Sequence, residues 1–135
     1  MYKRCQAILD YLQEHIFPCY VVGGFNRERL LGRLSYDLDL IVEEGAWQLA
    51  RQLAKQFRCA FVPLDEIRDI ARLVIDKEIS IDIARYAGKS LDEDLKNRDF
   101  TINSIACQLH LGLFDLNYPV EQLPFYDPWG GIQDL

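Results

Sequence analysis

The chain is short of positive charge. Fifteen Lys and Arg stand against twenty-one Asp and Glu, a formal net charge of −6 over 135 residues. That balance argues against a strong RNA-binding surface in this segment, which would need its Arg and Lys clustered into a basic face, but not against a nucleotide pocket. Long apolar runs are also missing. None approaches the roughly 20 residues that span a bilayer. The start, Met1-Tyr2-Lys3-Arg4-Cys5, leads into an amphipathic stretch and not into the apolar core of a signal peptide. A cytoplasmic protein with no membrane partner is the expectation. Cys5, Cys19, Cys59 and Cys107 form no CxxC pair and no zinc spacing, so reduced, mostly buried thiols are expected. His15 and His110 have no partner motif and read as structural. No internal repeat, low-complexity tract or linker divides the chain.

What is present suits one domain, residues 1–135, with a real core. Half the residues are hydrophobic and about a quarter charged. Residues 3–16 have a helical period at Ala7, Ile8, Tyr11, Leu12 and Ile16, and Pro18 ends that helix. Cys19 to Val22 reads as a strand broken by Gly23-Gly24. Phe25 to Leu31 reads as a helix stopped by Gly32. Leu38 to Val42 is a β-branched, apolar strand. Ala46 to Phe57 is an amphipathic helix, and Cys59 to Leu64 a strand. Ala71 to Ile75 and Ile79 to Tyr86 form a hairpin. Ser90-Leu91-Asp92-Glu93 fits a capping box that opens a short helix, with the acidic run Asp92-Glu93-Asp94 facing solvent. Ile102 to Leu109 is apolar enough for a buried helix, and Leu111 to Leu116 for a last strand. Such a mixture implies an α/β fold, a small mixed sheet with flanking helices.

Asp37 and Asp39 sit two apart at a strand start, which puts both carboxylates on one sheet face. Like charges so close are comfortable mainly with a cation between them. Hard oxygen ligands suit Mg²⁺. The alternative is an exposed strand end with two solvated aspartates. Gly23-Gly24 lies between a strand and a helix, where backbone amides can approach phosphate oxygens. Arg27 and Arg29 add positive charge nearby. An ordinary strand-to-helix turn is the competing account. Asp82, between Ile81 and Ile83, is either a third carboxylate or a residue on a wet face. Arg98 and Asp99 are either a loop ion pair or, through the Arg98 fork, a phosphate grip. Asn103 offers the donor and acceptors that a ribose or base edge requires.

These pieces occur in an order that resembles the catalytic head of class II nucleotidyltransferases, the family of bacterial tRNA CCA-adding enzymes and poly(A) polymerases. Its pattern is similar to GGxVRDxLLG, DxD, RRDFTxNA and DPxGGxxDL. The chain reads Gly23-Gly24-Phe25-Asn26-Arg27-Glu28-Arg29-Leu30-Leu31-Gly32 and then Asp37-Leu38-Asp39. Asn97-Arg98-Asp99-Phe100-Thr101-Ile102-Asn103-Ser104 follows, and Asp127-Pro128-Trp129-Gly130-Gly131-Ile132-Gln133-Asp134-Leu135 closes the set. The resemblance implies a polymerase-β-like nucleotidyltransferase fold. It implies that Asp37 and Asp39 hold catalytic Mg²⁺, with Asp82 as a third catalytic acid. Gly23, Gly24 and Arg27 would contact the triphosphate, and Arg98, Asp99 and Asn103 the nucleotide and its ribose. The 3′ hydroxyl of an RNA, by this resemblance a tRNA, would attack the α-phosphate of CTP or ATP and release pyrophosphate.

Several positions depart from the pattern. Asn26 and Glu28 stand where valine and aspartate are usual, and Asn97 replaces the first arginine. The strand resembling EVATFR keeps an acid at Asp82, but its arginine is moved or lost. Only Tyr86 to Leu91 joins that strand to the next helix, similar to members that add just two cytidines. In the family, helical neck, body and tail domains follow the head and hold most of the RNA. None of their sequence is present here. A poly(A) polymerase head and a non-catalytic nucleotide- or partner-binding module are the other readings.

Overall fold

Asp37–Val42 is a strand because its apolar residues alternate and then run together, and neighbours on both sides satisfy its backbone. In the computed structural model it is β2, at the middle of a mixed sheet. The structure describes residues 3–16, 18–32, 37–76, 79–86, 90–96, 105–109, 116 and 125–135. Within them the order is α1 Lys3–His15, β1 Cys19–Val22, α2 Gly24–Leu30, β2, α3 Ala46–Phe57, β3 Ala60–Asp65, β4 Ile70–Val74, β5 Ser80–Arg85, α4 Leu91–Lys96, β6 Ala106–Gln108 and β7 Phe125–Tyr126. The strands lie in the order β3-β4-β5-β2-β1-β6-β7. Among them the β2–β5 pair is parallel and the other pairs are antiparallel. No described helix is long and apolar enough to cross a membrane.

The sheet has two differently covered faces. On one, Val21, Leu38, Leu40, Ala71, Leu73, Ile81, Ile83 and Cys107 meet the apolar sides of α1 and α3. On the other, Val22, Ile41 and Ala106 meet Leu95 of α4, with Tyr20, Tyr86 and Leu91 at the margin. Helix α3 matches its expected span. Its N-terminal amides are capped from elsewhere: Asp69, in the β3–β4 turn, accepts from Ala46 N at 2.9 Å and Trp47 N at 2.8 Å. At the other end Arg4 donates to the carbonyls of Phe57 and Arg58, and to Ile75 on the neighbouring hairpin. One guanidinium thus joins α1, α3 and the sheet.

Three expectations need correction, and one strand had not been expected. The run Ile102–Leu109 is not a helix through its end, because Ala106–Gln108 is β6. Ala106 faces the α4 side and Cys107 the α1–α3 side, both 0% exposed. A strand buried on both faces loses its alternation and looks like a buried helix. The buried stripe of α1 is Cys5, Ile8, Leu9 and Leu12, an i, i+3, i+4, i+7 set, while Ala7 is exposed. Asp94 does not face solvent. It shares the inner side of α4 with Leu91 and Leu95 and is buried. β7 had no sequence counterpart, and the strand expected at Leu111–Leu116 lies outside the described residues except for buried Leu116.

The cysteines are free, with Cys5, Cys19 and Cys107 buried and Cys59 half-buried. His15 Nδ1 donates to the Tyr11 carbonyl at 2.9 Å and the ring stacks on the Tyr11 ring, a structural setting.

Candidate active site

The acidic pair lies on the second sheet face, outside the cluster that Val22, Ile41 and Ala106 form with α4. Leu38 and Leu40 point into the core, so Asp37 and Asp39 point the other way, Asp37 exposed and Asp39 half-buried. The strand register extends the site sideways. Val62, Arg72, Asp82, Asp39, Val22, Ala106 and Tyr126 form one transverse row across the sheet. Asp82 is therefore the direct neighbour of Asp39 on β5. Ser80 neighbours Asp37 and donates its hydroxyl to Oδ1 at 3.0 Å.

Arg72 is the residue that sequence reasoning missed. Its Nε donates to Asp82 Oδ1 at 2.7 Å and its Nη2 to Oδ2 at 3.1 Å, a bidentate fork. The guanidinium is held above its ordinary range, chiefly by the hydrogen bond and charge of Asp82, with Asp37 and Asp39 adding to it. All three carboxylates thus act on one cation. Among the described residues no cluster of three or more His, Cys, Asp or Glu could hold a metal ion. Asp82 is turned toward Arg72, and Asp37 and Asp39 are a carboxylate pair whose chemistry fits a hard divalent cation.

The glycine turn abuts this pair. Val22 is the register partner of Asp39, and Gly23 follows it directly. Gly23 has φ 75° and ψ −146°, a region essentially closed to residues with a Cβ. Gly24 opens α2, and the Arg27 side chain folds back over it: a Cβ on Gly24 would lie 3.2 Å from the Arg27 guanidinium. Arg27 also pairs with Glu28 at 3.1 Å. Arg29 leans elsewhere, over the Phe25 ring and toward the Leu116 carbonyl. Arg98, Asp99 and Asn103 lie outside the described residues, as does the rest of 97–104.

The last motif proves to be a turn. Asp127 accepts from Gly131 N at 2.6 Å and Ile132 N at 2.8 Å, and Gly130 between them has φ 74°. Its aspartate caps backbone and its glycine makes the bend, which explains the spacing without any part in chemistry.

The fold that carries the carboxylate pair, the glycine turn and the arginine fork is shared with known proteins. The family model of the poly(A) polymerase head domain matches residues 19–135. The chain belongs to the poly(A) polymerase head family. Within it, the chain is 39% identical over 117 residues to a CC-adding tRNA nucleotidyltransferase of Synechocystis sp., covering 85% of this chain and 25% of that protein. It is 40% identical over 120 residues to a CC-adding tRNA nucleotidyltransferase of Geobacter sulfurreducens, covering 88% and 25%. A solved tRNA nucleotidyltransferase, in complex with a primer tRNA and an incoming ATP analogue, superposes with a TM-score of 0.75 at 30% identity, covering 94% of this chain and 36% of that one. The chain spans about a quarter of the length of these curated relatives. The head has the polymerase-β-like nucleotidyltransferase fold.

Proposed function

We propose that this chain is the catalytic head of a nucleotidyltransferase that adds cytidines to the 3′ end of tRNA. The observation that carries the reading is the pair Asp37 and Asp39 on one open sheet face, with Gly23 following the register partner of Asp39. That both relatives are CC-adding tRNA nucleotidyltransferases supports the tRNA acceptor and the cytidine choice. The short Tyr86–Leu91 connection agrees with it.

In this mechanism Asp37 and Asp39 would hold Mg²⁺, which would supply charge neutralisation for the triphosphate. The backbone of Gly23 and Gly24 receives phosphate oxygens, because no Cβ stands in the way. Arg27, already lying over Gly24, adds a guanidinium to the same anion. Arg98, Asp99 and Asn103 orient the nucleotide and its ribose. The 3′ hydroxyl of the RNA gives up its proton to solvent as its oxygen bonds the α-phosphorus and the bond to pyrophosphate breaks. Asp82 stands beside Asp39 with its orientation set by Arg72, so that the acidic row keeps its geometry when substrate is absent.

The acidic balance of this chain means that holding an RNA backbone falls to other surfaces. The test is therefore a chimera in which this chain replaces the matching quarter of the Geobacter relative. Given tRNA lacking its CCA end, with CTP and ATP together, the chimera is expected to add two cytidines and stop. Efficient addition of a terminal adenosine contradicts the cytidine assignment. A folded chimera that leaves the tRNA unextended contradicts the catalytic one.

A further inference from the structure

The transverse row that holds Asp39 continues on both sides of it. Toward β1 it reaches Val22, with the Gly23 turn directly after. Toward β5 and β4 it reaches Asp82 and then Arg72. In phosphoryl transfer the attacking and leaving oxygens lie roughly in line. With the triphosphate received at the glycine turn, pyrophosphate leaves on the β1 side. The attacking 3′ oxygen therefore enters from the opposite side, over β5 and β4. That side carries Arg72.

Arg72 suits an RNA phosphate there in three respects. Its backbone stands two strand spacings from that of Asp39, about 10 Å, and its side chain reaches back to Asp82. One nucleotide bridges such a gap between its 3′ oxygen and its own phosphate. Second, Asp82 engages only Nε, at 2.7 Å, and one N–H of Nη2, at 3.1 Å. A guanidinium has five N–H donors, so three remain for another acceptor. Third, the Arg72 side chain is 43% exposed, and a carboxylate already fixes its direction, which lowers the cost of ordering it on a ligand. We infer that Arg72 binds the RNA acceptor: its remaining N–H groups grip the last phosphodiester before the 3′ end, and Asp82 is the positioning residue that aims it. The guanidinium thereby gives an anionic strand one attractive contact beside the acidic pair. This inference rests on the nucleotidyltransferase reading of the site.

The test follows binding to the chain and needs no turnover. Two short RNAs, labelled at the 5′ end, are titrated with Mg²⁺ present. One has an ordinary last phosphodiester, and in the other that linkage is an uncharged methylphosphonate. Fluorescence anisotropy gives each affinity. The Nε–H resonance of Arg72 in protein labelled with ¹⁵N-arginine, identified by its absence from Arg72→Lys, reports on the guanidinium itself. The ordinary RNA should bind the parent about tenfold more tightly than the methylphosphonate, as one charge-assisted contact warrants, and it should move the Arg72 resonance. Arg72→Met should bind the ordinary RNA about tenfold more weakly and no longer tell the two RNAs apart. Arg72→Lys keeps the charge without the fork and should lie between; it carries the test if Arg72→Met does not fold. A purely structural Arg72 would weaken both RNAs alike and leave the difference between them. That result overturns the inference, as does equal binding of the two RNAs by the parent, or no binding by the parent up to millimolar RNA. A chimera that leaves tRNA unextended refutes the catalytic reading, whereas extension without discrimination between the two RNAs refutes only the role of Arg72.

Discussion

Asp39 and Asp82 are register partners on adjacent parallel strands, and Arg72 grips both oxygens of Asp82 from the next strand over. A row of like charges is thereby stabilised by a cation built into the sheet. The fork also separates the roles of three aspartates that looked equivalent in the sequence. Asp37 is exposed and Asp39 half-buried on the same face, while Asp82 is held by the Arg72 guanidinium.

Replacing Arg72 with methionine should therefore act in two directions. The Arg72–Asp82 pair is partly solvent-exposed, so its loss should lower stability only modestly, by about 1 kcal/mol or less. Removing its positive charge from beside the acidic row should make Mg²⁺ bind more tightly. Thermal melting and a Mg²⁺ titration of Arg72→Met measure the two effects. Weaker Mg²⁺ binding in a folded variant would show that Arg72 organises the ion site and does not compete with it.

Gly23→Ala should be a far more damaging change than its size suggests. The backbone at φ 75° and ψ −146° is closed to alanine, and strain of this kind costs about 1–3 kcal/mol. If the turn relaxes instead, the amides that receive phosphate move. Denaturant unfolding and CTP titration should both show a loss. A variant with parental stability and affinity would mean that the turn tolerates a Cβ and that glycine is not required there.

Much of this architecture was legible before the structure. Helix α3 was bounded correctly because its apolar side is broad and its ends are sharp. The glycine pair, Gly32 and the capping Ser90 marked α2 and α4, and Ser90 Oγ accepts from Glu93 N at 3.2 Å as a capping serine does. The Asp37 and Asp39 face followed from strand periodicity alone. What was not legible depended on neighbours far apart in the chain. β6 was hidden because both of its faces are covered. The parallel pairing of β2 with β5, which puts Asp82 beside Asp39, has no local signal. Arg72 did have one: counting back in equal steps from the hairpin pair Val74 and Ser80 sets Arg72 opposite Asp82. Asn26 read as a departure from a pattern; buried, it donates to the carbonyls of Val21 and Ile105, which a valine cannot do.

The thiols give a pH dependence whose sign can be worked out. Burial pushes Cys5, Cys19 and Cys107 from 9.0 up to about 12, with the Asp76 charge assisting at Cys5. A raised folded-state value means that these thiols stabilise the fold fully below pH 9. As pH rises from 9 to about 12 the unfolded chain releases their protons and the folded chain keeps them. Stability should then fall, by at most about 1.4 kcal/mol per pH unit for each thiol. Thiolate absorbance from these three should accordingly appear with unfolding and not before it. At pH 8 a thiol reagent should label half-buried Cys59 first and the other three only in denaturant. Rapid labelling of all four in the native protein would contradict their burial.

The claim that matters most is that Asp37 and Asp39 hold the cation through which a nucleoside triphosphate is bound. Calorimetric titration of CTP into the chain, with Mg²⁺ and again with chelator, tests it against the double variant Asp37→Asn, Asp39→Asn. The parent should bind CTP only when Mg²⁺ is present. The double variant should keep its thermal transition and lose that binding by at least about tenfold, as expected when the charged contacts of one ion are removed. CTP binding of equal strength in parent and variant, or binding by the parent that ignores Mg²⁺, would contradict the account.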